Sequence, residues 1–158
     1  MNKITVRFIS PKYAIYSIHG EHIEPGSNIV AEAIAGNDLS FYSAKGEQHI
    51  PSSAYNEPKA LELASKVNKI ISVHGEHETN KAFVMVGGLD KPLTKQIENE
   101  LKTSGFDTIT PPDGLNGDNP ENICNKGQSG MGIQIEISKK LREELHRDKN
   151  AFSKFIEA

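Results

Sequence analysis

The tetrapeptide His-Gly-Glu-His occurs twice in the chain, at residues 19–22 and 74–77, each time closing an apolar run rich in β-branched residues. Those runs, AIYSI at residues 14–18 and NKIISV at residues 68–73, have the length and branching of buried strands. Four letters are too few to argue duplication, yet they restrict the fold. Two strands that each deliver a histidine to the same kind of edge converge on one site if they are near neighbours in a sheet. After the first run Glu24 follows within a turn, Pro25 and Gly26 break the backbone, and Ser27 stands where an N-cap precedes the helical pattern NIVAEAIA. Strand, turn and helix place His19 and Glu24 at the carboxyl end of a strand, where open α/β sheets keep their ligand sites. Imidazole nitrogen and carboxylate oxygen both ligate zinc, although a histidine and a glutamate five positions apart also suit a hydrogen-bonded turn. With His74 the set has three protein ligands and an open fourth position, the arrangement of a catalytic zinc rather than a closed structural one.

The rest of the chain reads as strands interleaved with helices. ITVRFI (residues 4–9) alternates like a half-buried or edge strand, and LSFYSAKG (39–46) forms another. QHIPSSAYNEP (48–58) is polar and turn-rich. Asn56 is expected to cap the next helix, with Pro58 in its first turn and Leu61, Ala64 and Val67 or Leu63 on its apolar side. AFVMVGGL (82–89) suits a strand buried on both faces. Asp90 caps a helix with Leu93, Ile97 and Leu101 on one side, closed by Gly105, and FDTITPP holds a short strand. Residues 111–132 form the longest irregular stretch, and a loop of that length is usually functional or disordered. Out of it emerges GIQIEIS (132–138), with Ile133, Ile135 and Ile137 on one face and Gln134, Glu136 and Ser138 on the other. Ser138 caps KKLREELHR, where Leu141 and Leu145 face inward, and AFSKFIEA completes a terminal helix. The expected fold is α/β: one domain over residues 1–158, with a mostly parallel or mixed central sheet covered by helices on both faces.

Composition excludes several classes of function. The 158 residues carry 18 basic and 21 acidic groups, a net charge of -3, so the basic footprint of a nucleic-acid binder is missing. A single cysteine, Cys124, permits no intrachain disulfide and no thiolate-rich zinc site. MNKITVRFIS reads as a strand rather than a signal peptide, and no segment has the apolar length to cross a membrane. The expectation is a cytoplasmic protein, with a monomer favoured.

Beyond the three candidate ligands, Glu136 sits mid-strand between isoleucines, so its side chain goes either to a partly buried surface or to a site. At a site it is the natural general base, taking a proton from the attacking water and handing it to the leaving nitrogen. Arg142 offers a planar fork for a substrate carboxylate, or an ion pair with glutamate neighbours. Asn125 and Lys126 are loop groups suited to anion contact. His22, His49 and His77 are surface histidines by default that are also able to supplement the ligand set.

Taken together, HGEHIEPG, HIPSSAYNEP, VHGEH, VGGLD and NICNKGQSGMGIQIEISKKLR resemble, in order, the blocks of the phage-derived poly-γ-glutamate hydrolases, from about Ala14 to Arg142. That family is zinc-dependent, with a fold similar to carboxypeptidase A. The resemblance implies zinc held by His19, Glu24 and His74, catalysis supported by Glu136, and cleavage of γ-glutamyl amide bonds in an anionic polymer. Arg142, Asn125 and Lys126 fall where the family carries polar and basic residues, and are inferred to bind substrate. Glu21 and His22 replace residues that are commonly small, which is expected to crowd and charge the metal edge. Ala54 and Asn56 replace His and Asp, and Lys126 replaces Arg. These departures keep two alternatives open: a metallo-amidase acting on peptides or N-acyl amino acids, and a metal-stabilised module that binds polymer without cutting it.

Overall fold

The computed structural model describes residues 3–46 and 48–158. Seven strands form one sheet: β1 (Lys3–Arg7), β2 (Tyr13–Gly20), β3 (Ser40–Lys45), β4 (Lys69–Glu76), β5 (Val84–Gly87), β6 (Thr108–Ile109) and β7 (Ile133–Ser138). Their spatial order is β1-β3-β2-β4-β7-β5-β6. The four central strands β3, β2, β4 and β7 run parallel, as do β5 and β6, while β1 is antiparallel to β3 and β5 to β7. The sheet is therefore mixed, as the alternation of strand and helix patterns predicts. Five α-helices accompany it among the described residues: α1 (Ser27–Ala35), α2 (Pro58–Lys66), α3 (Lys91–Thr103), α4 (Lys139–Arg147) and α5 (Lys149–Glu157).

Side-chain alternation divides the core in two. Ile15, Phe41, Val73, Val86 and the three isoleucines of β7 pack with α1, α3, α4 and α5 through Val30, Leu101, Leu141, Leu145 and Phe155. Ala14, Tyr16, Tyr42 and Ile70 face the other way, onto Ala60, Leu63 and Ala64 of α2 and onto Ile123 and Cys124 of the long loop. From β2 the chain builds outward to β3 through α1, then returns past β2 to β4 through α2. The reversal leaves a crevice at the carboxyl ends of β2 and β4, where a doubly wound sheet binds its ligands.

Several local expectations shift. The first strand stops at Arg7 rather than Ile9, because the Ser40 hydroxyl takes over the Ile9 and Ser10 N–H groups, each at 2.9 Å. Gly26, at φ 89°, is the N-cap of α1, and Ser27 is its first helical residue, donating its hydroxyl to the Glu24 carbonyl at 2.8 Å. Glu57 rather than Asn56 caps α2, accepting from the N–H groups of Lys59 and Ala60. Starting at Pro58 sets the helical phase so that Ala60, Leu63 and Ala64 are buried, while Leu61 turns outward at 40% exposure. The loop at 111–132 is packed rather than loose. The Asn125 side chain accepts from the N–H of Gly132 and of Leu89 and donates to the carbonyls of Gly117 and Asn119.

Candidate metal centre and cleft

β2 carries His19 and β4 carries His74, and a tight reversal returns Glu24 to both. In that reversal the Glu24 N–H donates to the His19 carbonyl at 2.9 Å, and Glu21 sits at φ 68°, a left-handed conformation uncommon for a side-chain-bearing residue. Strict alternation along β2 would turn His19 to the face of Ile15. The β2–β3 register shifts between Ser17 and Gly20, and such a bulge re-aims the side chains beside it. The His19 ring meets the His74 ring edge-on, with centroids 5.2 Å apart.

The three side chains converge. One atom each from His19, Glu24 and His74 lies within 4.8 Å of the others, and all three residues are buried. Nδ1 of His19 is 3.4 Å and Nδ1 of His74 3.3 Å from the same oxygen, Oε1 of Glu24. On the far side of the first ring, Nε2 is 2.6 Å from the Ile50 carbonyl. A carbonyl only accepts, so Nε2 holds the proton and Nδ1 presents a lone pair to the cluster, where it is buried without a hydrogen-bond partner among the described residues. Nε2 of His74 lies 3.4 Å from the Ser52 hydroxyl. Imidazoles held through one nitrogen with the other aimed inward are how proteins prepare histidine for a metal. With one carboxylate beside them, the donor set fits a zinc ion.

Charge follows the geometry. Burial pushes the Glu24 carboxyl up, but the two imidazoles that face Oε1 outweigh it when they are protonated, and hold the group at about 2. Burial acts to lower His74, yet the Glu24 hydrogen bond with the charges of Glu136 and Glu24 leaves it raised. Glu136 lies directly across the β4–β7 pairing from His74. Burial, reinforced by the negative charges of Glu24 and Glu76 and opposed by His74 and Arg142, pushes Glu136 up to about 7.

These groups open into a cleft of about 500 Å³. One wall is the segment around Ser52, where His49 stacks on His19 with ring centroids 4.2 Å apart. The opposite wall is the run Gly114–Asn119 of the long loop, tied to β7 by Asn122, which donates to Gln134 at 2.9 Å, and to β5 by the Gly88 N–H on the Asn116 carbonyl at 2.8 Å. Glu76 and His77 stand at the rim. Among the described residues that line the cleft, none is lysine or arginine. His22 is exposed and outside it, and Glu21 turns toward Lys45 at 3.9 Å, so neither crowds the three ligands.

The structure thus brings His19, Glu24, His74 and Glu136 together, and keeps Arg142, Asn125 and Lys126 out of the cleft. Arg142 is buried behind Gly75 with its two terminal nitrogens on backbone carbonyls, Asn125 spends its amide on the loop, and Lys126 pairs with Glu121 at 2.8 Å. The geometry gives no support to the expectation that they contact substrate. Sequence reasoning passed over Ile50 and Ser52, which orient the imidazoles, and Asn122, which holds the loop wall through Gln134. A backbone carbonyl in irregular chain leaves no signal in the residue letters, whereas the polar face of β7 did mark Gln134.

Residues 2–156 match the sequence profile of the poly-gamma-glutamate hydrolase family. The chain is 34% identical over 146 residues to the SPbeta prophage-derived UPF0714 protein YoqZ of Bacillus subtilis (strain 168), covering 87% of this chain and 53% of that protein. It spans little more than half the length of the curated relatives it matches. Among solved structures, bacteriophage poly-gamma-glutamate hydrolase aligns with a TM-score of 0.91 at 26% identity, over 99% of this chain and 84% of that one. The zinc-free apo form of YndL aligns with a TM-score of 0.85 at 30% identity, over 91% and 75%.

Proposed function

The chain belongs to the poly-gamma-glutamate hydrolase family, and from that premise we propose that it is a zinc-dependent hydrolase that cleaves γ-glutamyl amide bonds. The observation that carries this reading is the convergence of His19, Glu24 and His74 within 4.8 Å, beside a buried glutamate across the sheet pairing from His74. Zinc bound by these three would act as a Lewis acid toward the amide carbonyl and make water a nucleophile near neutral pH.

The chain's own residues supply the rest. Ile50 and Ser52 hold the imidazoles through their outer nitrogens. Glu136, buried in the cleft across from His74, accepts a proton from water as it attacks the carbonyl carbon. When the C–N bond breaks, the same carboxyl gives that proton to the departing nitrogen, which leaves as an amine, and the carboxylate is regenerated. The cleft walls set the approach of the chain being cut.

A second reading changes only the substrate. Each unit of poly-γ-glutamate carries a free carboxylate, yet the described cleft wall presents Glu76 and Asp118 and no lysine or arginine. That charge balance favours amides with fewer carboxylates than the polymer, such as neutral peptides or singly charged N-acyl amino acids. Incubation of the zinc-loaded protein with purified polymer, followed as chain length, is expected to show shortening. Cleavage of neutral peptides or N-acyl amino acids with neutral side chains, with the polymer left intact, selects the second reading, and polymer binding without any cleavage overturns both.

A further inference from the structure

Arg142 is the residue whose placement the chemistry above leaves unexplained. It projects from α4 and is only 7% exposed, and no carboxylate lies within ion-pair distance of it among the described residues. Instead Nη1 donates to the Pro25 carbonyl at 3.0 Å and Nη2 to the Glu76 carbonyl at 2.9 Å, across 117 and 66 residues of sequence. Burying a guanidinium against neutral acceptors is costly, so its position demands a reason.

The two carbonyls supply one. Pro25 follows Glu24 directly, and Glu76 lies two residues beyond His74, so one planar fork grips the segments that carry two of the three candidate ligands. Its base is rigid: α4 is anchored in the core by Leu141 and Leu145 and capped by Ser138, which accepts from the Leu141 N–H. Between the two hydrogen bonds the guanidinium lies against Gly75, where a β-carbon would collide with Nη1. Glycine next to His74 is therefore required by the fork. Lysine cannot replace it, since one ammonium on a flexible stem does not span two carbonyls at fixed angles.

We propose that Arg142 is a positioning residue that locks Glu24 and His74 into ligating geometry from behind the metal centre, rather than a group that holds substrate. This rests on the reading of His19, Glu24 and His74 as a zinc site, and the experiment separates the two. Zinc affinity is measured by competition with a chromophoric chelator for the wild-type protein, Arg142→Gln, Arg142→Lys, Gly75→Ala and the double variant Gly75→Ala/Arg142→Gln. Amide exchange of residues 20–26 is followed in the metal-free forms. Wild-type protein that binds no zinc, or binds it unchanged after His74→Ala, defeats the underlying site. If that site holds, Arg142→Gln is expected to weaken zinc about 10- to 100-fold, to speed exchange in the turn, and to leave KM unchanged once zinc is saturating. Arg142→Lys is expected to rescue little of this. Gly75→Ala displaces the guanidinium while keeping its charge, and is expected to lower affinity alone. In the double variant the losses should not multiply, because both substitutions remove one contact. Unchanged zinc affinity in either folded single variant, a raised KM with zinc binding intact, or losses that multiply would overturn the proposal. Should Arg142→Gln fail to fold, Arg142→Lys and Gly75→Ala decide the matter by the same affinity criterion.

Discussion

The role proposed for Glu136 sets two demands on one carboxyl group: burial enough to hold a proton near neutrality and a placement from which to move one. Replacing it with glutamine keeps the shape and removes the base. Glu136→Gln is expected to retain zinc, measured by metal analysis, and to lose at least about 100-fold in turnover, the scale of general-base contributions. The same residue makes metal-free stability depend on pH. Its folded value of about 7 lies above its ordinary 4.5, so the native state binds the extra proton between those values. Its contribution is complete below about 4.5 and disappears as pH rises through about 7. Denaturant midpoints of metal-free wild-type protein are expected to fall over that window relative to Glu136→Gln, with the difference flat above it. Glu24, held at about 2, works in the opposite sense and matters only as pH falls below 4.5.

At the scale of elements, the long loop is the part most dependent on single side chains. Asn125 satisfies four backbone groups from Leu89 to Gly132, so Asn125→Ala leaves several buried donors and acceptors without partners. At about 1–3 kcal/mol for each unsatisfied group, part of which water recovers, a loss of about 2–4 kcal/mol is expected, with faster amide exchange at Gly132 and in the cleft wall at 114–119. Catalysis should suffer through the wall while zinc binding persists. The helix caps show a similar economy of means. Ser138 serves α4 and also accepts from the Phe83 N–H of the incoming β5 segment at 3.0 Å, joining two elements with one hydroxyl.

For the molecule as a whole, the proposed zinc site would couple metal to fold, because its candidate ligands come from β2, the β2–α1 reversal and β4, which one ion would tie together. Chelation is expected to lower the thermal midpoint and zinc to restore it. Free zinc at 1,000 times its dissociation constant adds about 4 kcal/mol. A chelated protein that melts at the same temperature as the zinc-loaded form would argue against any ion at this centre. The mixed sheet should survive chelation, since an apolar layer packs on either face of its strands without using the three candidate ligands.

The sequence alone determined the strand runs, the helices that begin at Asp90 and Ser138, and the layout that sends His19 and His74 to one sheet edge, because period and turn chemistry are local. It also singled out Glu136, as a charge set among isoleucines has few places to go. Only the tertiary structure decided which carbonyl and which hydroxyl orient the imidazoles, that a bulge in β2 turns His19 toward its partner, that Glu57, which also accepts from the distant Tyr42 hydroxyl, caps α2 in place of Asn56, and that Arg142 points behind the centre. Each of these depends on contacts between residues far apart in the chain or on a register shift, and neither leaves a mark on residue order. The periodicity of a helix shows which face is polar, whereas the approach of a second segment settles what that face touches.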